Sequence, residues 1–404
     1  MSGARRPAIS VVIPTYNRSA LLEQAIASVL AQSLAPTQVL VVDDGSTDST
    51  TELLERLRPQ VQSMGVPHGG KSSALNAALK EVSGDYVWIF DDDDIALPDA
   101  LERFVEPLEK DPALGFSYSH YWYTPGLEDG RLAAPKGSSR IPDTHTRGLL
   151  VPLLEFNFLS GAALFARTSC YSAVGGFDPS LTRSQEYEMA IRIARRFRGA
   201  QVSGGPTFHL RQHPGTRGSQ SDRFAVNAKK QKWLEYDQKI FRHLHTDLQL
   251  EEYLAPGLDV DTHRRMALLQ RAVIMAGKSL FAEAVTDLTE IADGPDQSPL
   301  LSDEVRLVRE GLAARPFYGG GIRSDPPSLA ALKRLSRRSE AMRAICAHLR
   351  ASMVRELAGE SGSLMLDAIR GRRADVRVHL IRAGRVVKQL THMSGVARGG
   401  DRLS

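Results

Sequence analysis

Apolar runs alternate with helical patterns along roughly the first 220 residues of the chain. The runs AISVVIP, QVLVVDD and DYVWIF predict strands, whereas SALLEQAIASVLAQS, STDSTTELLERLR, GGKSSALNAALKEV and LPDALERFVEPLEK have the spacing of amphipathic helices. Ser19 is the expected N-cap of the first helix. Strands that are apolar throughout are typical of a parallel sheet covered on both faces, so the pattern predicts an α/β fold.

Polar side chains follow three of these strands at the point where each strand ends. Ligands of such sheets bind beyond the carboxyl ends of the strands, so we expect these side chains to share one cleft. One of these strand ends carries four consecutive aspartates. Their carboxylates repel one another, so they need a bound cation, contact with solvent or shifted pKa values. Taken singly, each motif could also be a turn, a helix cap or a solvated loop. The residues are Thr15, Tyr16 and Asn17, then Asp43 and Asp44, then Asp91, Asp92, Asp93 and Asp94.

Beyond about residue 222 the pattern becomes mainly helical, which predicts a domain over residues 1–221 and a helical region over 222–404. Residues 331–404 hold 16 lysines and arginines against 6 aspartates and glutamates, although the whole chain has a net charge of only +4. This basic tail is a candidate for peripheral contact with anionic lipid, and a plain solvated C-terminus is the alternative. We expect the helical region to serve acceptor binding or self-association as a homo-oligomer. No nucleic-acid partner is expected, because no recognised module appears.

The compartment is predicted from apolar runs and cysteines. No run approaches the ~20 apolar residues that cross a bilayer, and the N-terminus leads directly into a strand. Cys170 and Cys346 are far apart and lack metal-ligand spacing, so we interpret both as core thiols of a reducing compartment. These features predict a cytoplasmic protein, with the inner membrane face as a candidate peripheral location.

Several motifs occur together in register: VVIPTYNR, QVLVVDDGSTDST, GGKSSALNAAL, DYVWIFDDDDIALPDAL and GGFDPSL…SQEYEMAIR. In this order they resemble the family-2-type glycosyltransferases of GT-A fold, over about residues 7–218. The resemblance implies a Rossmann-like, mostly parallel sheet flanked by helices, with the C-terminal helical region added to it. It also implies a nucleotide-sugar donor, Mn²⁺ or Mg²⁺ as the cofactor, and transfer with inversion at the anomeric carbon.

The resemblance also assigns residues to the metal. Asp93 matches the usual metal ligand of the D-x-D pattern, and Asp91 matches the residue that positions the metal or the donor. Asp92 is placed with the donor contacts, although a run of four aspartates lets the pattern shift by one residue. His213 matches a histidine that reaches the metal or the donor phosphates in some relatives, and a plain surface histidine is the alternative.

For the nucleotide, the match places Thr15, Tyr16 and Asn17 around the base and ribose, with Asp43 or Asp44 accepting a hydrogen bond from the base. An aspartate that accepts from a ring N–H suits uracil or thymine better than cytosine, so UDP is favoured, then dTDP, with GDP still open. Lys71 is the candidate diphosphate contact, and a solvated lysine in a first helical turn is the alternative.

Glu186 matches the family's catalytic aspartate and is the expected general base for the acceptor hydroxyl. The alternative is a structural helix carboxylate, paired with Arg183 or Arg192. The leading hypothesis is an inverting, metal-dependent hexosyltransferase that acts on a saccharide, lipid-linked or other hydroxyl acceptor. Two other hypotheses are nucleotidyl transfer on a related sheet and a non-catalytic nucleotide-sugar-binding or scaffold protein.

Overall fold

A mixed sheet lies at the centre of the structure, a computed structural model that describes residues 6–128, 131–212, 229–313 and 325–354. The strands in these segments are β1 (Ile9–Thr15), β2 (Gln38–Asp43), β3 (Gln62–Gly65), β4 (Tyr86–Ile89), β5 (Ile95–Ala96), β6 (Leu114–Thr124), β7 (Leu127–Glu128), β8 (Arg131–Leu132), β9 (Gly137–Ser138), β10 (Leu164–Arg167) and β11 (Arg198–Arg211). The main sheet has the order β3-β2-β1-β4-β10-β6-β11-β5, with β9 beside β6, while β7 and β8 pair separately.

Half of the strand pairs in the main sheet are parallel, including those that the apolar strands β1, β2 and β4 form with one another, as predicted. The pairs β3/β2, β2/β1, β1/β4 and β6/β11 are parallel, whereas β10, β5 and β9 run antiparallel to their neighbours. Every residue of β1, β2 and β4 is buried, which explains why these strands lack polar alternation. The α/β prediction is confirmed.

Helices cover the sheet and continue beyond it as the predicted helical region. Those of the first part are α1 (Ser19–Leu30), α2 (Thr50–Leu57), α3 (Lys71–Ala78), α4 (Ala100–Lys110), α5 (Thr144–Arg147), α6 (Leu150–Glu155), α7 (Thr168–Val174) and α8 (Gln185–Arg196). The later helices are α9 (Lys229–Asp247), α10 (Val260–Gly277), α11 (Phe281–Asp293), α12 (Ser302–Ala313), α13 (Pro326–Leu335) and α14 (Glu340–Val354). Among the described helices, none is long and apolar enough to cross a membrane.

The chain divides into two units, Met1–Leu349 and Arg350–Ser404, and all packing described below lies within the first. The helices on both sides of residue 222 belong to that one unit, while the expected domain boundary at this position stays a prediction. Cys170 and Cys346 are both buried, as predicted.

The start of α1 differs from the prediction by one residue. Ser19 is the first helical residue rather than the N-cap, and Arg18 at the cap position supplies no side-chain cap. The N–H of Ser19 instead donates to Asp48 Oδ2 at 3.1 Å, and Asp48 Oδ1 accepts the N–H of Thr50 at 3.1 Å. One carboxylate from a neighbouring loop therefore satisfies the starts of both α1 and α2, which a local capping rule does not foresee.

Candidate active site

The register of the sheet places the polar strand ends side by side. Thr15 pairs with Asp43 across β1 and β2, and the N–H of Asp44 donates to the carbonyl of Thr15 at 3.0 Å. On the other side of β1, the N–H of Phe90 donates to the carbonyl of Val12 at 2.9 Å, so the four aspartates begin beside the end of β1. The polar residues at the carboxyl ends of these strands therefore lie side by side, as expected.

Three of the four aspartates form a cluster. Oxygen atoms of Asp91, Asp93 and Asp94 all lie within 4.8 Å of one another, with Asp94 buried and the other two half-buried. Carboxylate oxygens are the ligands that Mg²⁺, Mn²⁺ and Ca²⁺ prefer, so this donor set fits a hard divalent cation. The sequence predicted Asp91 and Asp93 as ligands, and the structure adds Asp94 to the group. His213, the third predicted ligand, lies outside the described residues.

Asp92 points away from this cluster and has partners of its own. Its Oδ2 accepts a hydrogen bond from Thr15 Oγ1 at 2.8 Å, and its Oδ1 lies 2.8 Å from Arg18 Nη1. The same Arg18 nitrogen lies 3.0 Å from Asp93 Oδ2. Burial raises the pKa of Asp92 to about 6 despite the nearby guanidinium. Arg18 therefore compensates part of the negative charge that the sequence pattern left unexplained.

Arg211 holds the aspartate run from the opposite side. Its backbone N–H donates to Asp94 Oδ1 at 3.0 Å, its Nε donates to the carbonyl of Asp93, and the residue is 2% exposed. Burial, together with the charges of Asp93 and Asp91, raises the pKa of Asp94 well above its usual range. Arg211 thus acts as a structural support of the loop.

The loops after β1 and β2 are tied together by Asn17. Its side-chain oxygen accepts the N–H of Thr47 at 2.6 Å, and its own N–H donates to Ser46 Oγ at 2.8 Å. Asn17 has a left-handed backbone with φ 53°, which asparagine tolerates better than most residues. The ring of Tyr16 stacks on His68, with 4.3 Å between centroids. Asn17 therefore shapes the predicted base pocket by holding the loop after β2 against the end of β1.

The two aspartates at the end of β2 have different surroundings. Asp44 accepts the N–H groups of Gly69 and Gly70 at 2.8 and 3.0 Å and lies 2.9 Å from His68 Nδ1, so both of its oxygens are engaged by the loop before α3. Within the described part of the chain, the Asp43 carboxylate accepts one hydrogen bond, from the N–H of Ser46 at 2.9 Å. Asp43 consequently has more capacity left for a ligand.

Lys71 joins the aspartate cluster to the predicted base. Its Nζ forms ion pairs with Asp91 and with Glu186, and the three side chains are 28%, 25% and 22% exposed. Burial opposes the charge of Lys71, but the two carboxylates outweigh it and raise its pKa. The alternative pairing of Glu186 with Arg192 is wrong, because Arg192 binds Glu188 at 2.6 Å.

Glu186 stands in the first turn of α8, and its side chain lies directly beside Gly161. A Cβ atom added to Gly161 would lie 3.0 Å from Cγ of Glu186, so the backbone passes directly beside this carboxylate. Gln185, the preceding residue, is 6% exposed, and its Oε1 has no hydrogen-bond partner in the described segments. The close approach leaves Glu186 little freedom on that side.

Known proteins match the part of the chain that carries this site. The sequence model described as Glycosyl transferase family 2 matches residues 10–171, which include β1, β2, β4 and all four aspartates. Residues 10–171 belong to glycosyl transferase family 2. This glycosyltransferase is 36% identical over 193 residues to a chondroitin synthase and to a hyaluronan synthase of Pasteurella multocida. Each match covers 47% of this chain and 19% of the relative, so the glycosyltransferase corresponds to about a fifth of those synthases.

Solved structures of low sequence identity resemble the glycosyltransferase over most of its length. S. aureus TarS 1-349 in complex with UDP-GlcNAc has a TM-score of 0.49 at 17% identity, covering 87% of this chain and 92% of that one. The mannosyltransferase PcManGT from Pyrobaculum calidifontis, in complex with GDP-Man and Mn²⁺, has a TM-score of 0.46 at 20% identity, covering 88% and 89%.

Proposed function

We propose that this glycosyltransferase moves a sugar from a nucleoside diphosphate donor to an acceptor hydroxyl, with inversion at the anomeric carbon. The observation that carries the proposal is the Lys71 bridge, because one ammonium links a cluster suited to a cation with a carboxylate suited to a base. A transferase of this kind needs both groups within reach of one sugar.

Asp91, Asp93 and Asp94 would hold Mn²⁺ or Mg²⁺, which supplies a charge that stabilises the departing diphosphate. Asp43 would accept the imide N–H of uracil, while Thr15 and Tyr16 border the base and ribose and Asn17 fixes the loop. We therefore place UDP first among donors, and dTDP and GDP after it.

Lys71 would change partners when the donor arrives. The diphosphate oxygens compete for its ammonium group, and a Lys71 that turns to them releases the oxygen of Glu186 that it now binds. Glu186 then takes the proton of the acceptor hydroxyl. At the same time the acceptor oxygen forms its bond to the anomeric carbon, and the bond between that carbon and the diphosphate breaks. The donor would thus have to bind before the base can act.

The names of the Pasteurella multocida relatives support a growing glycan as the first acceptor to test, with lipid-linked and other hydroxyl acceptors after it. Contact of the basic tail with anionic membrane, a cytoplasmic location and a homo-oligomer stay proposals. Most of that tail, residues 355–404, lies outside the described segments.

Donor binding is tested first, by thermal shift with UDP-, dTDP- and GDP-sugars, each in Mn²⁺ and in chelator. A donor at about 100 times its dissociation constant should stabilise the wild type by about 2.7 kcal/mol. Asp93→Asn should lose this shift, whereas Asp261→Asn, at an exposed position of α10, should keep it. No shift with any nucleotide would favour the scaffold hypothesis.

The reaction is tested with the donor so identified and a panel of acceptors. Glu186→Gln should keep the donor-induced shift and lower kcat by about 10²–10⁴-fold, the range that a general base contributes. Release of the nucleoside diphosphate supports glycosyl transfer, and release of pyrophosphate would instead support nucleotidyl transfer. A Glu186→Gln variant with wild-type kcat would remove this residue as the base.

A further inference from the structure

The residue that precedes α8 has an unusual backbone and a partner in the helical region. Ser184 is left-handed, with φ 56° and ψ 15°, and is 3% exposed. A non-glycine residue adopts this conformation only where its surroundings hold it there. Its Oγ donates to Asp237 Oδ1 at 3.0 Å, and Asp237 belongs to α9. The start of the helix that bears Glu186 is therefore tied to a residue 53 positions later in the chain.

A buried lysine completes this contact. Nζ of Lys278, which follows α10, lies 2.9 Å from Asp237 Oδ2, and the two side chains are 7% and 14% exposed. The same Nζ donates to Tyr187 Oη at 3.3 Å and lies 4.3 Å from the ring centroid of Phe241. A buried charge requires such partners, so these contacts restrict the position of the Lys278 ammonium group.

Tyr187 extends the network to another helix of the first part. Its Oη donates to the carbonyl oxygen of Leu153 in α6 at 2.6 Å, and the residue is 1% exposed. We call the four residues Ser184, Tyr187, Asp237 and Lys278 the α8 anchor. Its contacts lie on both sides of Glu186 in sequence, two residues before it and one residue after it.

We propose that Asp237 and Lys278 are positioning residues for Glu186, which makes the helical region a working part of the catalytic unit. The proposal rests on the proposed function, in which Glu186 is the general base. The anchor fixes the first turn of α8, and that turn sets where the Glu186 carboxylate stands relative to Lys71 and Gly161. Neither Asp237 nor Lys278 needs to touch the substrate for this role.

The test compares Asp237→Asn in the full chain with a matched buried ion pair. Glu304→Gln breaks the pair of Glu304 with Arg265, which joins α12 to α10 at 2.7 Å with side chains 3% and 7% exposed. A misplaced base costs on the order of 100-fold in rate, so Asp237→Asn should lower kcat by about that factor. The donor-induced thermal shift should stay as in the wild type, and Glu304→Gln should keep kcat within about twofold.

Hydrogen exchange gives a second readout that needs no substrate. The amides of residues 184–191 should exchange faster in Asp237→Asn than in the wild type, and Glu304→Gln should leave them unchanged. A folded Asp237→Asn with wild-type kcat and wild-type exchange overturns the proposal. A wild type that transfers no sugar overturns the proposed function instead, and the exchange data then decide whether the anchor fixes α8.

If Asp237→Asn does not fold, Ser184→Ala decides the question. It removes one hydroxyl and the hydrogen bond to Asp237, so it should fold and show the same two changes, with a fall in kcat of about tenfold. A folded Ser184→Ala that matches the wild type in kcat and in exchange rejects the anchor.

Discussion

Replacing Arg18 by methionine removes the cation that lies between Asp92 and Asp93. The guanidinium is 25% exposed and stands 2.8 Å from Asp92, whose side chain is 6% exposed, so the lost pair is largely buried. Asp92 would keep the hydrogen bond from Thr15 at 2.8 Å but lose its ion pair with Arg18. Leaving one partner of a buried pair uncompensated typically costs about 3–5 kcal/mol. At about 2 °C per kcal/mol for a large unit, the melting temperature should fall by about 6–10 °C.

The measurement is calorimetry in chelator, with Arg56→Met as the matched control. Arg56 pairs with Glu23 at 2.7 Å, but the two side chains are 62% and 55% exposed, so its removal should cost no more than about 1 kcal/mol. Mn²⁺ should then stabilise Arg18→Met more than the wild type, because a bound cation replaces part of the lost charge. If the two variants melt at the same temperature in chelator, Arg18 does not compensate the aspartates.

Three further results are expected. Gly161→Ala puts a methyl group 3.0 Å from Cγ of Glu186 and should lower kcat about tenfold with donor binding intact, while Gly65→Ala, with no atom within 4 Å, should match the wild type. Burial raises the pKa of Asp92 to about 6. Between about pH 4 and pH 6, Asp92 therefore keeps a proton in the native state that it has already released in the unfolded chain. The free energy of unfolding in chelator should therefore fall as the pH rises from about 4 through about 6. Urea titrations should show this fall in the wild type and a smaller fall in Asp92→Asn. Burial raises the pKa of Asp94 well above its usual range, so Mn²⁺ binding should strengthen as the pH rises and should release protons, which calorimetry in two buffers of different ionisation heat measures.

Local patterns predicted the parts of the fold that depend on nearby residues. The strands β1, β2 and β4 follow from unbroken apolar runs, and the cleft follows from polar residues at their ends. The aspartate cluster was predicted as a cation site, but the membership of Asp94 depends on how the loop turns after Asp93. Spacing alone does not fix that turn, because four identical residues allow more than one pattern.

The interactions that sequence reasoning missed join distant segments. Arg18 lies 74 residues before Asp92, and the sequence around it indicates only that a helix begins there. Ser184 and Asp237 are similarly separated, and Asp237 belongs to none of the motifs. The one available signal for Arg18 was the excess of aspartates itself, which required a cation from some other part of the chain. Periodicity reports burial along one element and carries no information on such pairs.

The position of β5 has a consequence for the order in which the protein is completed during synthesis. Ile95 and Ala96 directly follow the aspartates, and in the described sheet they pair only with Phe208 and His209 of β11. Arg211, at the end of the same strand, supports the aspartates from 117 residues further along the chain. A nascent chain that has emerged only as far as α8 therefore has every aspartate and its contacts with Arg18 and Lys71, but lacks the contacts that β11 makes with Asp93, Asp94 and β5. The candidate cation site is completed late, when β11 enters the sheet, so a truncated chain should bind metal more weakly than the full chain.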